Sequence, residues 1–231
     1  MQSTQDTPAQ YLQPARFIDS DHPSVKRFAE RVAGKEGGDA QRAVALFEAV
    51  RDGFRYDPYH IDLEPDAMRA SALLERDYGF CIPKAALLCA AARVLGIPSR
   101  LGFATVRNHL TTPKLRRAMG TDIFPWHGFA ELFLNGDWLK ATPAFDRKLC
   151  ERLGVAPLAF DGRHDAVFQE EDRRGNRFME YVEDQGHFAD LPLDELREAL
   201  QVAYPNIMVN GVWTLEGRFE EDAVADRGKT T

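Results

Sequence analysis

Apolar residues recur along this chain with two different periodicities. Helical spacing predicts helices at residues 25–32, 39–53, 67–75, 148–153 and 192–203. Runs typical of strands lie at residues 100–106, 129–134, 138–141 and 177–183. Because helices come first and most of the strands follow, we expect an α+β fold. In that fold, the helix that begins near residue 81 would pack on an antiparallel sheet.

The longest compact apolar run belongs to this helix, which is predicted to begin at or just after Cys81. Pro83 suits the first turn of a helix, where its missing N–H costs nothing. Gly96 fits a helix end, with Pro98 just beyond it. The apolar positions between them predict one buried stripe. The stripe consists of Leu87, Leu88, Ala91, Ala92 and Leu95.

A tight β-hairpin is predicted around Asn135–Gly136, because a type I′ turn needs positive φ at both central residues. A two-residue loop fixes the register between the two strands. Extended along the hairpin, that register places Thr142 and Asp146 on the same face as His127. Pro143 cannot donate to the strand ladder, so pairing is expected to weaken there.

Cys81 and His127 together suggest a cysteine nucleophile and its base. A helix N-terminus lowers the pKa of a thiol, and the thiolate is the reactive form. An imidazole within reach accepts and returns the proton. Each residue also has a simpler interpretation, since free cysteines are often buried core residues and strand histidines often only hydrogen-bond. Cys89, which lies among alanines, is expected to be core.

Four short motifs follow one another in order between residues 56 and 146. They are Gly79–Cys81 at a helix start, Gly96–Arg100 entering a strand, His127–Glu131 on a strand, and Trp138. This order and spacing resembles the transglutaminase-like superfamily. Residues 107–110 and 141–145 look like a bacterial branch whose members lack assigned substrates. The resemblance implies a papain-like core with a Cys-His-Asp triad, in which Cys81 and His127 are the first two members.

The third triad position departs from the pattern of the family. Where the family has an aspartate directly before a proline, this chain has Thr142 before Pro143. A threonine hydroxyl accepts a hydrogen bond from histidine but carries no charge. Asp146 offers a carboxylate, which would also stabilise an imidazolium. Thr142, Asp146 or neither of them would then orient His127.

The residues and the resemblance predict acyl transfer through a thioester on Cys81. Hydrolysis of an amide or peptide bond is preferred over cross-linking, because nothing marks a site for an amine acceptor. The backbone N–H of Cys81 and one further group, for which Tyr56 and Tyr78 are candidates, would bind the oxyanion. Glu131 is expected to be structural. The alternative is a non-catalytic binding module that keeps the cleft, and Thr142 favours it.

Composition limits the possible partners. The 231 residues carry a net charge of −7, which argues against nucleic acid and against an anionic membrane surface as partners. Three cysteines, one of them the expected nucleophile, argue against a disulfide framework and favour a reducing cytoplasm. No spacing typical of a metal or phosphate site occurs, so no metal or cofactor is expected. The expected partner is a peptide or amide substrate, and nothing predicts the oligomeric state.

The chain is expected to form a single domain over residues 16–215. Residues 1–15 are interpreted as a loose N-terminal arm. Residues 216–231 are rich in charge and are interpreted as a frayed C-terminal tail.

Overall fold

A four-stranded antiparallel sheet organises the fold. The computed structural model describes residues 8–34, 37–109 and 111–225. The strands are β1 (Arg55–Tyr56), β2 (Tyr78–Gly79), β3 (Ser99–Asn108), β4 (Ile123–Leu134), β5 (Asp137–Ala141), β6 (Met179–Phe188), β7 (Met208–Val209) and β8 (Val212–Trp213). The main sheet has the order β5-β4-β3-β6, while β1–β2 and β7–β8 form separate pairs.

Helices precede, interrupt and follow the strands. They are α1 (Pro23–Ala33), α2 (Asp39–Gly53), α3 (Ala70–Leu73), α4 (Cys81–Val94), α5 (Pro113–Met119), α6 (Arg147–Leu153), α7 (Leu193–Ala203) and α8 (Phe219–Ala225). The expected α+β class is therefore confirmed. In the part of the chain that the structure describes, no helix has the length and apolar character needed to cross a membrane.

Helix α4 is central to the packing. It packs against β3 and β4, while α1, α2 and α3 pack around it. Every residue from Cys81 to Arg93 is buried, including two cations. The single buried stripe expected from the sequence was therefore too narrow. A helix that is apolar nearly all round is enclosed on every side, and this one lies between the sheet and the other helices.

The hairpin register agrees with the sequence, but the ladder is shorter than the extrapolation required. Leu134 pairs with Asp137, and pairing continues as far as Ala130 and Ala141. Beyond that point the chain leaves β4, and the Thr142 N–H donates to the carbonyl oxygen of Ala166 at 2.8 Å. The extrapolated register therefore does not describe residues 142–146.

Both ends of the described chain are more firmly packed than expected. Residues 8–12 form a short 3-10 helix whose Tyr11 is buried edge-on against Trp138. In the C-terminal segment, Phe219 is buried against Tyr56 and Tyr59. One apolar side chain thus anchors each segment, which composition alone did not reveal. Residues 1–7 of the expected arm and residues 226–231 of the expected tail lie outside the described residues.

Candidate active site

Cys81 is the first residue of α4, with Phe80 as the preceding cap residue. Only 8% of Cys81 is exposed. The backbone N–H groups of Gly128, Ile82 and Cys81 itself are close enough to the sulfur to act on its pKa. The contact with Gly128 brings β4 against the start of α4. A Cβ built on Gly128 would lie 3.2 Å from the Ile82 Cα, so this close approach depends on glycine.

His127 lies beside Gly128 on β4, directly after a bulge. Ala104 of β3 pairs with His127, but the next pair along the strands joins Val106 to Phe124. Two residues of β4 therefore oppose one residue of β3. One of the two, Trp126, has a φ of 57°. Bulges re-aim side chains, and this one sets the direction of the chain as it enters His127.

The bulge is held by a side chain from a third strand. The backbone N–H of Trp126 donates to Oε1 of Gln185 on β6 at 2.6 Å. The Trp126 ring packs against Phe103 and Phe188. Pro125 was the sequence signal from which the bulge could have been predicted, because proline within an inner strand marks a bulge. Nothing in the sequence pointed to Gln185.

Cys81 and His127 line the same cleft, which encloses about 520 Å³ of space counted out to its mouth. The remaining lining residues are mostly apolar or aromatic. They are Tyr56, Pro58, Ile61, Phe80, Ile82, Leu115, Met119, Phe124, Pro125, Trp126, Leu196, Leu200, Tyr204 and Trp213.

Burial keeps both reactive groups neutral. It raises the pKa of the Cys81 thiol to about 11, and the surrounding N–H groups only partly oppose it. Burial also lowers the pKa of His127 to about 4. The lowered thiol pKa expected from the helix N-terminus is therefore wrong for this closed cleft, because the loss of hydration outweighs the amide dipoles. At neutral pH the pair is a thiol and a neutral imidazole.

Thr142 shares a second, smaller cavity with His127. Its hydroxyl oxygen is buried and has no hydrogen-bond partner among the described residues. Within the same residues, no hydrogen bond reaches either ring nitrogen of His127, and burial is the only cause of its pKa shift. Thr142 is thus near the histidine but is not hydrogen-bonded to it.

Asp146 has a different set of partners. Its Oδ1 accepts from the Leu149 N–H at 3.0 Å and caps α6, and its Oδ2 accepts from the Tyr56 N–H at 3.0 Å. No hydrogen bond joins it to His127 within the described residues. The expectation that Asp146 orients the imidazole therefore has no support from the geometry, because both carboxylate oxygens serve backbone amides.

The two tyrosines considered for the oxyanion site lie in different places. Tyr56 lines the cleft, and burial followed by the proximity of Cys81 raises the pKa of its hydroxyl well above the usual value. The ring of Tyr78 instead packs near His60 and lies under the guanidinium of Arg55, outside this cleft. The geometry thus favours Tyr56.

Glu131 is a structural residue in this arrangement. Its carboxylate pairs with the guanidinium of Arg100 on the neighbouring strand, and both side chains are buried. Arg100 also stacks over Trp138 at 4.1 Å. Arg100, Glu131 and Trp138, which come from three of the motifs, are therefore in contact with one another through Arg100.

Sequence reasoning missed the buried cation beside the site. Lys84 lies one turn after Cys81, is fully buried, and donates to three carbonyl oxygens. These are Arg51 O at 2.8 Å, Phe54 O at 2.7 Å and Ala144 O at 2.8 Å. The sequence signal that could have revealed it is a lysine within an otherwise apolar helix, because a buried cation needs hydrogen-bond acceptors around it.

No group of histidine, cysteine, aspartate and glutamate side chains suited to a metal ion occurs in the described residues. The three cysteines are unpaired and buried. Cys89 donates to the carbonyl oxygen of Arg100, in keeping with its expected core position.

A model of the transglutaminase-like superfamily matches residues 26–143, just over half of the 231 residues. The chain belongs to the transglutaminase-like superfamily. The resemblance inferred from the motifs is therefore confirmed. The match includes Cys81, His127 and Thr142, and it ends before Asp146. No curated protein matches this chain.

Solved structures similar to this transglutaminase-like chain are distant. A "putative cysteine protease" from Cytophaga hutchinsonii is 21% identical with a TM-score of 0.45, covering 58% of this chain and 41% of that protein. A "putative protease" from Parabacteroides distasonis is 17% identical with a TM-score of 0.37, covering 58% and 25%. An arylamine N-acetyltransferase from Mycobacterium abscessus is 17% identical with a TM-score of 0.40, covering 69% and 51%. The matched part is less than two-thirds of each of these proteins.

Proposed function

We propose that this protein is a cysteine-dependent acyl-transfer enzyme that hydrolyses an amide or peptide bond through a thioester on Cys81. The observation that carries the proposal is the shared cleft. A cysteine at the start of α4 and a histidine on β4 border one enclosed space, with the backbone N–H beside that histidine directed at the sulfur. This placement, in a chain of the transglutaminase-like superfamily, supports nucleophilic catalysis.

The neutral state of the pair sets the order of the proposed steps. Cys81 begins as a thiol, so His127 takes its proton as the sulfur attacks the carbonyl carbon. The resulting imidazolium gives that proton to the departing amine, and a thioester remains. Water then attacks the thioester while His127 takes its proton, and the sulfur leaves with that proton as the acid is released.

Two groups are proposed to bind the oxyanion of the intermediates. The backbone N–H of Cys81 opens α4, where the partial positive charge of the helix favours an anion. The hydroxyl of Tyr56 is the second, because it lines the cleft and its pKa responds to the sulfur of Cys81. A neutral tyrosine, whose pKa is raised, remains able to donate its proton in a hydrogen bond.

Thr142 is the proposed third member in place of a carboxylate. It shares a cavity with His127 and has an unused hydroxyl oxygen. Such an oxygen would accept from an imidazole N–H and hold the ring's tautomer without adding charge. The neutral resting state of His127 fits a partner that does not favour imidazolium.

A catalytically impaired binding module is the second candidate. The absence of a hydrogen bond between the described residues and His127 favours it, as does burial that keeps Cys81 protonated. Such a protein would bind an amide or peptide in the cleft without forming a covalent bond.

Mass spectrometry distinguishes the two candidates. The protein is incubated with a library of small amides, peptides and activated esters, and acid-quenched samples are searched for an acyl group on Cys81. The enzyme hypothesis would be supported by acylation of Cys81 followed by turnover. Both should be lost in Cys81→Ala and kept in Cys89→Ala. Saturable binding with no acylation and no product from any member would favour the module.

Iodoacetamide labelling provides the matched test of the nucleophile. Cys81 is slightly exposed, and its pKa is less raised than those of Cys89 and Cys150, which burial raises to about 12. Cys81 should therefore label first in the folded protein. Equal labelling of the three thiols would contradict its assignment as nucleophile.

The cellular setting is part of the same proposal. Three unpaired cysteines are compatible with a reducing compartment, so we infer a cytoplasmic protein. The inferred partner is a peptide or amide substrate. Cell fractionation with an antibody to the protein would test the compartment.

A further inference from the structure

We propose that the cleft selects substrates that carry an uncharged, apolar group next to the scissile carbonyl, such as an aryl or branched alkyl group. This inference rests on the proposed function and names its substrate class. It comes from the walls of the cleft and from where in the chain those walls originate.

No residue that lines the cleft carries a formal charge at neutral pH, in the part of the chain that the structure describes. Charged residues make up 28% of the chain, so a wall of sixteen residues without one departs from its composition. Six of the sixteen are aromatic, against 10% of the chain. Aromatic and aliphatic walls stabilise a complex in which the ligand buries apolar area. They cannot compensate a charged group of the ligand for the loss of its hydration.

Part of this wall lies outside the segment matched by the family. Leu196 and Leu200 project from α7, Tyr204 follows that helix, and Trp213 lies in β8. All four lie beyond residue 143, where the family match ends. These residues line the cleft together with Cys81 but lie outside the segment that the family model matches, and we expect selectivity to reside in this part of the wall.

The polar groups of the wall carry no charge, and most of them have other tasks. The exception is the indole Nε1 of Trp213, a neutral donor that is buried without a hydrogen-bond partner among the described residues. The hydroxyl of Tyr204 donates to the carbonyl oxygen of Ile123 at 2.9 Å. Tyr56, Cys81 and His127 are the groups proposed to react with or bind the carbonyl itself. A carboxylate or ammonium on the substrate would therefore enter the cleft without a side chain of opposite charge.

Chloroacetamides test the inference, because each places an amide carbonyl beside a variable group and reports through alkylation of a thiol. N-benzyl chloroacetamide is compared with N-carboxymethyl and N-(2-aminoethyl) chloroacetamide. Each rate at Cys81, measured by peptide mapping, is divided by the rate of the same probe with glutathione. We expect the corrected benzyl rate to exceed both others by about tenfold or more.

Variants connect that preference to the wall. Leu200→Lys places a cation in the cleft and should slow the benzyl probe about tenfold while speeding the carboxymethyl probe. Val202→Lys is the matched control on the same helix, since Val202 is 82% exposed and does not line the cleft. Ile61→Lys gives the same test at a partly buried position if Leu200→Lys does not fold.

A second measurement does not depend on the thiol. In Cys81→Ala, N-benzylacetamide should change the tryptophan fluorescence, because Trp126 and Trp213 line the cleft. N-acetylglycine, its charged counterpart, should change it only at about tenfold higher concentration.

The possible failures are separable. Selective reaction of Cys81 with equal corrected rates for benzyl and carboxymethyl probes would overturn this inference and leave the proposed function standing. If Cys81 reacts no faster than Cys89 and Cys150, the proposed function fails. The fluorescence titration then decides the selectivity of the cleft by itself, and equal affinities for the two acetamides would overturn it.

Discussion

The buried Lys84 offers a sharp test of how the start of α4 is held in place. Its ammonium donates to the carbonyl oxygens of Arg51, Phe54 and Ala144 at 2.7–2.8 Å. These bonds join α4 to the end of α2, to the residue before β1 and to the segment that leads into α6. Lys84→Met keeps the length and most of the apolar stem, so it removes the three donors with little change in packing.

The expected loss of stability follows from the carbonyl oxygens left behind. A buried acceptor without a donor costs about 1–3 kcal/mol. Three of them exceed what is regained by no longer burying an ammonium, whose pKa burial lowers to about 7. We therefore expect Lys84→Met to lower the free energy of unfolding by about 3 kcal/mol.

The assay is urea unfolding followed by circular dichroism, with Lys148→Met as control. Lys148 is an exposed lysine of α6, and its replacement should change stability by less than about 0.5 kcal/mol. A Lys84→Met protein as stable as the wild type would refute the reasoning, because it would mean that the three carbonyl oxygens need no donor.

The difference in unfolding free energy between the wild type and Lys84→Met should also depend on pH, which gives a second measurement. The pKa of Lys84 is about 7 when folded and near 10.5 when unfolded, so between these values the unfolded chain binds more protons. Stability from this group therefore rises with pH over that window, by up to about 1.4 kcal/mol per pH unit. Lys84→Met lacks the slope, and its deficit against the wild type should widen from pH 7 to pH 10. A constant deficit would show that the ammonium is not destabilised by burial.

Four further substitutions address the site directly. Because the pKa of His127 is lowered to about 4 from 6.5, stability should fall as the pH drops through that window, and His127→Gln should remove this slope in urea titrations. Thr142→Val should slow acylation and leave the free energy of unfolding unchanged or raise it by up to about 1 kcal/mol. Asp146→Asn should lower the free energy of unfolding by about 1–2 kcal/mol and leave the pH–rate profile unaltered. If Asp146→Asn altered the pH–rate profile and Thr142→Val left acylation unchanged, Asp146 would be the third member of the triad. Gly128→Ala should slow acylation, because the added methyl group would displace β4 from Ile82. Full activity would contradict this prediction, because it would mean that β4 can accommodate the methyl group without disturbing the site.

Much of the fold could be predicted because its signals are local. Helix α2 begins and ends at the predicted residues, and the hairpin has the register that Asn135–Gly136 requires. Cys81 opens α4 as Pro83 and the apolar run indicated. Each of these features depends on residues within a few positions of one another. Backbone preferences and short-range packing therefore decided them.

The features that escaped prediction depend on distant parts of the chain. The hairpin ladder ends at Ala141 because the next residue bonds to Ala166, which lies outside the hairpin. Asp146 was placed near His127 by extending a ladder that does not extend, and its carboxylate instead caps α6 and binds the Tyr56 N–H. No local pattern carries such information, since each partner is chosen by the tertiary arrangement.

Burial links the reactivity of the site to its selectivity. An apolar wall removes water from Cys81 and His127, which disfavours both thiolate and imidazolium, so the closed cleft holds a neutral pair. A neutral pair needs no compensating charge, which is compatible with the proposed role of Thr142 as an uncharged partner of His127. The same wall would admit an uncharged apolar group and penalise a charged one. In the proposed mechanism, charge develops only as the sulfur attacks, and the helix N-terminus and the Tyr56 hydroxyl are the groups proposed to stabilise it.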